Sequence, residues 1–387
     1  MANENLTIYD YSFIDTYICT YGYGSVSQSA VANAIFGKSN IKGILPINLN
    51  QSYKRGSGIK INRTSSIFEL NNKLDFSSTW NIIEKAINTK LFPGAQIMVI
   101  KDSKILADKS FGRLTFDKNS DLVNNETIYD VASLTKVIAT TPVIMKLIKK
   151  KYLNLNHEIY QFYPEFRGKW KDKVTIKHLL THSSGLKPYI QYFKNSNYKT
   201  KEDIIYDIVS NQELIYEPGI DSKYSDLGMI LLMDISEKVT GRKFEELVRS
   251  WILNPLDMNN SFFNPSKDLF YKIAPTERDY IFRDTLIHGI VHDENAFIMG
   301  GVSGHAGLFS NASDIANYSQ MMLNLGLYNG KRIFSRYSIS KFTKRQNMPI
   351  SSDFALGWDT PSKKGSTAGD FFSNNSYGHL GFTGTSL

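Results

Sequence analysis

Only one cysteine, Cys19, occurs among the 387 residues, so a framework of internal disulfide bonds is excluded. No apolar run is long enough to cross a membrane, and residues 1–5 lack the basic and apolar regions of a secretory signal. The net charge of +8 is not concentrated in a lysine- and arginine-rich stripe with interleaved aromatic residues, which argues against nucleic acid as a partner. The sequence therefore leaves the cellular compartment open.

The remaining composition is typical of a globular protein, with 42% hydrophobic and 21% charged residues. A chain of this length predicts two or three domains. Residues 51–75 are rich in Ser, Asn, Lys, Arg and Gly, which predicts a linker between a short unit at residues 1–50 and a larger unit at residues 76–387. Strand patterns at both ends of the larger unit, with helical patterns between them, predict an α+β fold.

The strongest chemical signal is the pair Ser133 and Lys136 at the start of a long apolar-faced helix. At this i, i+3 spacing both side chains lie on one helix face, so the amine can contact the hydroxyl. A lysine can activate a serine if burial or a neighbouring cation lowers the lysine pKa. Asp130 is the predicted helix cap, and the Ser133 backbone N–H is predicted to donate to a developing oxyanion. The same spacing without such a helix occurs at other serines, among them Ser39, Ser57, Ser196 and Ser338.

Two further segments could complete a site around Ser133. Tyr224, two residues before Asp226 at the start of an apolar helix, could share the serine proton with Lys136, because a nearby ammonium stabilises a phenolate. The second segment, at residues 378–385, is punctuated by glycines and reads as a strand that a substrate can approach closely. The backbone N–H of Phe382 in this segment is predicted to be the second oxyanion donor.

In this order and with these gaps, the three patterns resemble the serine β-lactamase and penicillin-binding protein superfamily, in its class C-like branch. The segments at residues 181–186, 254–258 and 305–310 add to the resemblance, which spans about residues 76–387. It implies an antiparallel sheet flanked by helices plus a mainly helical subdomain. The family's final strand and helix have no counterpart before Leu387, so we expect a C-terminally truncated domain.

The resemblance also implies a role for each candidate residue. Ser133 would be the nucleophile, and Lys136 and Tyr224 the pair that accepts its proton. His379 would be the substrate-facing residue of the last strand. The backbone N–H groups of Ser133 and Phe382 would form the oxyanion hole.

Three more residues, Asp226, Gly381 and Thr383, are expected to contact the substrate. Two of the candidate residues, Asp226 and His379, depart from the family pattern. Asp226 replaces an asparagine that donates to the substrate, and an ionised carboxylate cannot donate. His379 replaces a lysine that would bind a β-lactam carboxylate, leaving a neutral or weakly positive group. Both departures argue against a true β-lactamase.

Residues 28–37 and 43–46 resemble the closing segment of the C-terminal domain of family 3 glycoside hydrolases. The residues that carry glycosidase chemistry lie upstream of such a segment, so none is expected here. The two resemblances together predict a piece of a longer polypeptide that joins a glycosidase to a β-lactamase-like module. They imply a periplasmic or cell-surface protein with a small-molecule or peptidoglycan-derived substrate.

The sequence favours a serine acyl hydrolase that acts through an acyl-enzyme on an ester, a D-amino acid peptide or a β-lactam-like carbonyl. Esterase or D-amino peptidase activity is favoured over β-lactamase activity. The alternative is a catalytically silent module that binds cell-wall peptides beside a glycosidase. The histidine pairs 178/182 and 288/292 have a spacing that can bind metal, but they lack the glutamate of the His-Glu-x-x-His motif, so neither metal nor cofactor is predicted. The oligomeric state stays open.

Overall fold

A computed structural model describes residues 18, 20, 22, 24–35, 41–48, 54–58, 68–69 and 74–387. Cys19 and most of the predicted linker at residues 51–75 lie outside the described residues. The chain divides into two compact units, one of residues 1–66 with 327–332 and one of residues 67–326 with 333–387. The sequence-based boundaries at residues 50 and 75 stay predictions.

The helices and strands of the described residues are numbered in chain order. The α-helices are α1 (Ser25–Ile35), α2 (Ser77–Asn88), α3 (Thr141–Lys149), α4 (Ile176–Leu180), α5 (Lys201–Tyr206), α6 (Asp226–Thr240), α7 (Phe244–Val248), α8 (Glu294–Ile298), α9 (Ala312–Leu323) and α10 (Arg336–Thr343). The strands are β1 (Phe68–Glu69), β2 (Gly94–Lys101), β3 (Lys104–Gly112), β4 (Tyr129–Asp130), β5 (Phe262–Phe263), β6 (Arg278–Asp279), β7 (Thr285–Leu286), β8 (Leu308–Ser310), β9 (Leu327–Tyr328) and β10 (Lys331–Arg332).

The first unit contains α1 and the antiparallel hairpin of β9 and β10. In the second unit, β2 and β3 form an antiparallel hairpin, with Gly94 opposite Gly112, and β1 pairs with β3 in parallel. A smaller sheet has the order β4-β8-β5 with antiparallel pairs. Short antiparallel sheets with helices around them confirm the α+β prediction.

The helix that begins beside Ser133 lies in the core of the second unit. Leu134, Val137 and Ile138 are fully buried, and a π-helical turn, Lys136–Thr140, leads into α3. The predicted helix α6 packs against α3 and α4 and is apolar on nearly all sides, as expected for a helix inside a core. No helix among the described residues is both long enough and apolar enough to span a membrane.

Only part of residues 378–387 is extended as predicted. Gly378 and Leu380 form antiparallel bridges with Asp359 and Ser386, and the rest is a tight loop. Hydrogen bonds in both directions between the backbones of His379 and Leu387, at 3.0 and 3.1 Å, close this loop. Gly384 has a φ of 86°, a left-handed conformation that glycine adopts at little cost and that turns the chain back on itself. The polar residues of this segment therefore reach the site from a turn.

Candidate active site

Ser133 lies on a strained turn between β4 and the central helix. The residue before it, Ala132, has a φ of 46°, which is unfavourable for a residue with a Cβ. The buried Asp130 carboxylate stabilises this turn, since its Oδ1 accepts from the Ala132 N–H at 2.8 Å. The Ser133 side chain is half-buried and stays accessible.

Lys136 is fully buried, and its ammonium is surrounded by oxygen atoms. Its Nζ donates to Ser133 Oγ at 2.8 Å and to the His305 carbonyl at 3.0 Å. Asp226 Oδ1 lies 2.8 Å from the same Nζ as an ion pair. The pair predicted from the i, i+3 spacing is therefore in direct contact in the structure, and Asp226 is its counterion.

Tyr224 completes the contact around the serine. Lys136 Nζ lies 4.8 Å from the centre of the Tyr224 ring, and the Tyr224 hydroxyl is within hydrogen-bonding reach of Lys136 and Ser133. The ring packs against His182 with centroids 4.8 Å apart, and His182 Nδ1 accepts from the Ser225 N–H at 3.1 Å. His182 thereby orients the tyrosine loop, a role that its spacing from His178 did not indicate.

The protonation states correct one expectation. Burial alone lowers the pKa of Lys136, but the negative charge of Asp226 and the Tyr224 oxygen outweigh it, so the pKa lies above the usual lysine value. Burial raises the pKa of Tyr224, against the opposing effect of Lys136. The condition given for activation, a lowered lysine pKa, is not met in the free site, because the carboxylate of Asp226 lies beside the amine. Lys136 is an ammonium and Tyr224 a phenol at neutral pH.

His379 is neutral, and its Nε2 can only accept a hydrogen bond. Burial, followed by the charge of Lys136, lowers its pKa to about 4. At neutral pH its Nδ1–H donates to the Leu380 carbonyl at 2.7 Å, which leaves Nε2 as a lone pair. Its ring centroid lies 5.7 Å from that of Tyr224, so the structure brings His379 to the site as predicted.

The other two residues expected to contact substrate, Gly381 and Thr383, hold the 378–387 loop against the serine turn. The Thr383 hydroxyl donates to the Asp130 carbonyl at 2.7 Å, and the Thr385 hydroxyl donates to the Val131 carbonyl at 3.0 Å. A Cβ on Gly381 would come within 2.7 Å of that Val131 carbonyl oxygen. These contacts place Phe382 beside the segment that leads into Ser133.

Changing Gly381 to alanine is therefore expected to move this loop. The new methyl would meet a backbone oxygen that cannot rotate away, so we expect about 1–3 kcal/mol lower stability from overpacking and about tenfold lower kcat from the displaced Phe382 N–H. Thermal unfolding and ester turnover measure the two effects. Gly384→Ala is the matched control, because open space surrounds Gly384 and only its positive φ is strained. Equal kcat values for the two variants would contradict this role.

The two predicted oxyanion donors are unengaged. Within the described part of the chain, neither the Ser133 N–H nor the Phe382 N–H donates a hydrogen bond. The Phe382 side chain is 83% exposed and stacks on His292, with ring centroids 5.5 Å apart. The His292 N–H in turn donates to Asp130 Oδ2 at 2.7 Å.

Several supporting residues were not predicted from the sequence. His305 supplies a carbonyl to Lys136, while its buried ring contacts Ser303 Oγ at 2.8 Å and Asp293 Oδ1 at 2.9 Å. Of these three residues, only His305 lies in a segment that resembles the family, residues 305–310, and the resemblance implies no role for it. Among the residues described, no group of three or more His, Cys, Asp or Glu side chains could hold a metal ion.

Comparison with known proteins agrees with this geometry. A family model described as Beta-lactamase matches residues 81–387. A Bacillus subtilis (strain 168) protein named N-acetylmuramyl-L-alanine amidase is 34% identical over 327 residues, which cover 76% of this chain and 73% of the relative. A Salmonella agona protein named "Putative D-alanyl-D-alanine carboxypeptidase" is 33% identical over 326 residues, which cover 76% of this chain and 75% of the relative.

A solved structure gives the same result for the fold. The octameric penicillin-binding protein homologue from Pyrococcus abyssi superimposes with a TM-score of 0.63 at 25% identity. The match covers 80% of this chain and 69% of that one. With the family model matching most of the chain, and relatives above 30% identity, the chain belongs to the β-lactamase family of serine hydrolases.

Proposed function

We propose that Ser133 is the nucleophile of an acyl hydrolase that cleaves esters or D-amino acid peptides. The observation that carries this proposal is the 2.8 Å contact between Lys136 Nζ and Ser133 Oγ, with the Tyr224 hydroxyl in reach of both. A serine with two proton-exchanging groups in contact is the arrangement that nucleophilic catalysis needs. Lys136 is fully buried, which limits the access of bulk water to the proton transfer.

The reaction proceeds in two steps. The Lys136 and Tyr224 pair first releases one proton to solvent. Ser133 Oγ then attacks the substrate carbonyl carbon, its proton passes to that pair, and the carbonyl oxygen takes the negative charge. The N–H groups of Ser133 and Phe382 bind that oxygen, each contributing about 3 kcal/mol in the transition state. The leaving group departs with a proton, and water then cleaves the acyl-enzyme and restores the serine.

The groups beside the nucleophile favour esters and D-amino peptides over β-lactams. Asp226 is an acceptor, and His379 is neutral, so neither offers a positive charge to a β-lactam carboxylate. The names of the two curated relatives, an amidase and a carboxypeptidase, support a peptidoglycan-derived substrate and a site of action in the periplasm or at the cell surface.

A catalytically silent peptide-binding module is the second candidate. It is favoured by the raised pKa of both Lys136 and Tyr224, which keeps each of them protonated in the free site. The two candidates differ in whether Ser133 reacts with an electrophile.

A fluorophosphonate probe with intact-protein mass spectrometry tests the proposal. We expect one adduct per chain, located at Ser133 by peptide mapping and lost in Ser133→Ala. Ser338→Ala is the matched control, since Ser338 has the same spacing to a lysine, Lys341, but belongs to α10. Labelling should persist in that variant. A folded wild-type chain that takes no label supports the silent module.

A further inference from the structure

One buried acceptor beside the candidate site, His379 Nε2, has no donor among the described residues. A second acceptor, Asp226 Oδ1, is met there only by the Lys136 ammonium, in the ion pair at 2.8 Å. Buried polar atoms are normally hydrogen-bonded, so an unpaired acceptor near a carboxylate that holds the charge of Lys136 points to a ligand that supplies donors.

Asp226 is placed to bind a cation. It is the first residue of α6, and the positive end of the helix dipole favours an ionised carboxylate there. Its side chain keeps 16% of its surface exposed, so a substrate group can reach it. Tyr189 lies in the same acidic surroundings, since burial and then the charges of Asp293, Glu294 and Asp226 raise the pKa of its hydroxyl.

His379 is fixed as an acceptor on the same site. Its Nδ1–H is committed to the Leu380 carbonyl at 2.7 Å, so only the Nε2 lone pair is available. The residue is 5% exposed, and the Nε2 atom is buried. Its ring centroid lies 5.7 Å from that of Tyr224, whose own ring centre lies 4.8 Å from Lys136 Nζ. A ligand carboxylate would meet lone pairs at both Asp226 and His379 Nε2 and would be repelled. A ligand N–H or ammonium group would be bound there.

In the free site the Asp226 carboxylate is the counterion of Lys136. The titratable groups that face Lys136 from the surrounding elements are Tyr224, Asp226, His182, His379, Asp293 and Asp359. Both histidines have their pKa lowered, by burial first, and are neutral. A second cation bound at Asp226 would share this counterion and repel the ammonium of Lys136.

We propose that the substrate carries a protonated amine beside the scissile carbonyl, and that this amine binds Asp226 and releases Lys136 to act as the base. The inference rests on the proposed function. Lys136 loses one proton to solvent when the amine binds, then accepts the Ser133 proton as the Oγ–carbon bond forms. The substrate class is thus amino-acyl esters and amides with a free amine, and the amine activates the site that binds it.

The substrate test compares alanine p-nitroanilide with its N-acetyl derivative, in D and L forms. We expect kcat/KM to be at least about tenfold higher for the free amine in the wild type. Asp226→Asn should abolish the preference, and Asp226→Glu, which keeps the charge, should retain part of it. Asp172→Asn removes an exposed carboxylate elsewhere and should leave the preference unchanged. A wild-type preference for the acetylated substrate would overturn the inference.

Fluorophosphonate labelling gives a second readout that needs no turnover. Ethylammonium should accelerate labelling of Ser133 in the wild type but not in Asp226→Asn, with sodium at equal ionic strength and ethanol as controls. Labelling of Ser133 that is insensitive to ethylammonium, together with no preference for the free amine, overturns the inference and leaves the proposed function standing. No labelling under either condition overturns both.

Discussion

Replacing Lys136 with methionine is expected to reduce kcat for ester hydrolysis by about 10³-fold, the range typical of a lost general base. Methionine has nearly the same length but neither charge nor proton, so Ser133 loses the group 2.8 Å from its Oγ. The variant also leaves Asp226 without its counterion, which we expect to lower the free energy of unfolding by about 3 kcal/mol. Steady-state kinetics and chemical denaturation measure the two effects.

The double variant Lys136→Met with Asp226→Asn separates catalysis from stability. It removes both charges of the ion pair, so most of the lost stability should return, while kcat stays as low as in the single variant. If the double variant regained activity along with stability, Lys136 would be only a structural partner of Asp226. Wild-type kcat in the single variant would contradict a catalytic role for the lysine.

Local contacts could be predicted from the sequence. The pair of Ser133 and Lys136 follows from helix geometry, since residues three apart lie on one face. The bounds of α6 follow from an apolar run that ends at Gly241, which adopts the left-handed conformation of a helix C-terminus. The hairpin of β2 and β3 follows from two apolar runs around a short turn.

Contacts between distant segments could not be predicted in the same way. The raised pKa of Lys136 depends on Asp226, which reaches it only through the packing of α6 against the central helix. The 378–387 segment was predicted as a glycine-punctuated strand, yet it turns back on itself at Gly384, and the bonds between His379 and Leu387 close it into a loop. A residue pattern does not specify which partner completes its backbone hydrogen bonds.

Asp130 was predicted only as a helix cap, and its contacts with distant segments could not be predicted either. Its carboxylate accepts from the N–H groups of Ala132 and His292, at 2.8 and 2.7 Å, and its carbonyl accepts from Thr383. His292 supports the ring of Phe382. One buried residue thus connects the turn before Ser133, which carries one oxyanion donor, with the loop that carries the other.

Asp130 is therefore expected to give opposite pH dependences to stability and activity. Burial raises its pKa from 3.8 to about 6, although hydrogen bonds from His292 and Ala132 oppose the shift. A carboxyl group whose pKa is higher in the folded than in the unfolded state stabilises the fold when it is protonated. For Asp130 this contribution is about 3 kcal/mol. It is present below the unfolded pKa and is lost as pH rises through about 6. Protonation of the Asp130 carboxylate also weakens its ability to accept from the Ala132 and His292 N–H groups, which hold the two oxyanion donors in place. We therefore expect kcat to fall as pH drops below about 6.

Asp130→Asn tests this directly. An amide accepts at one atom and presents a donor at the other, so one of the two backbone N–H groups loses its partner, and we expect kcat to fall about 10²-fold through the displaced oxyanion donors. The acid decline of kcat assigned to Asp130 should disappear in the variant. Asp359, whose pKa burial also raises to about 6, titrates in the same range, so the difference between wild type and variant isolates Asp130. A variant with wild-type kcat and an unchanged pH profile would show that Asp130 holds the fold without positioning the oxyanion donors.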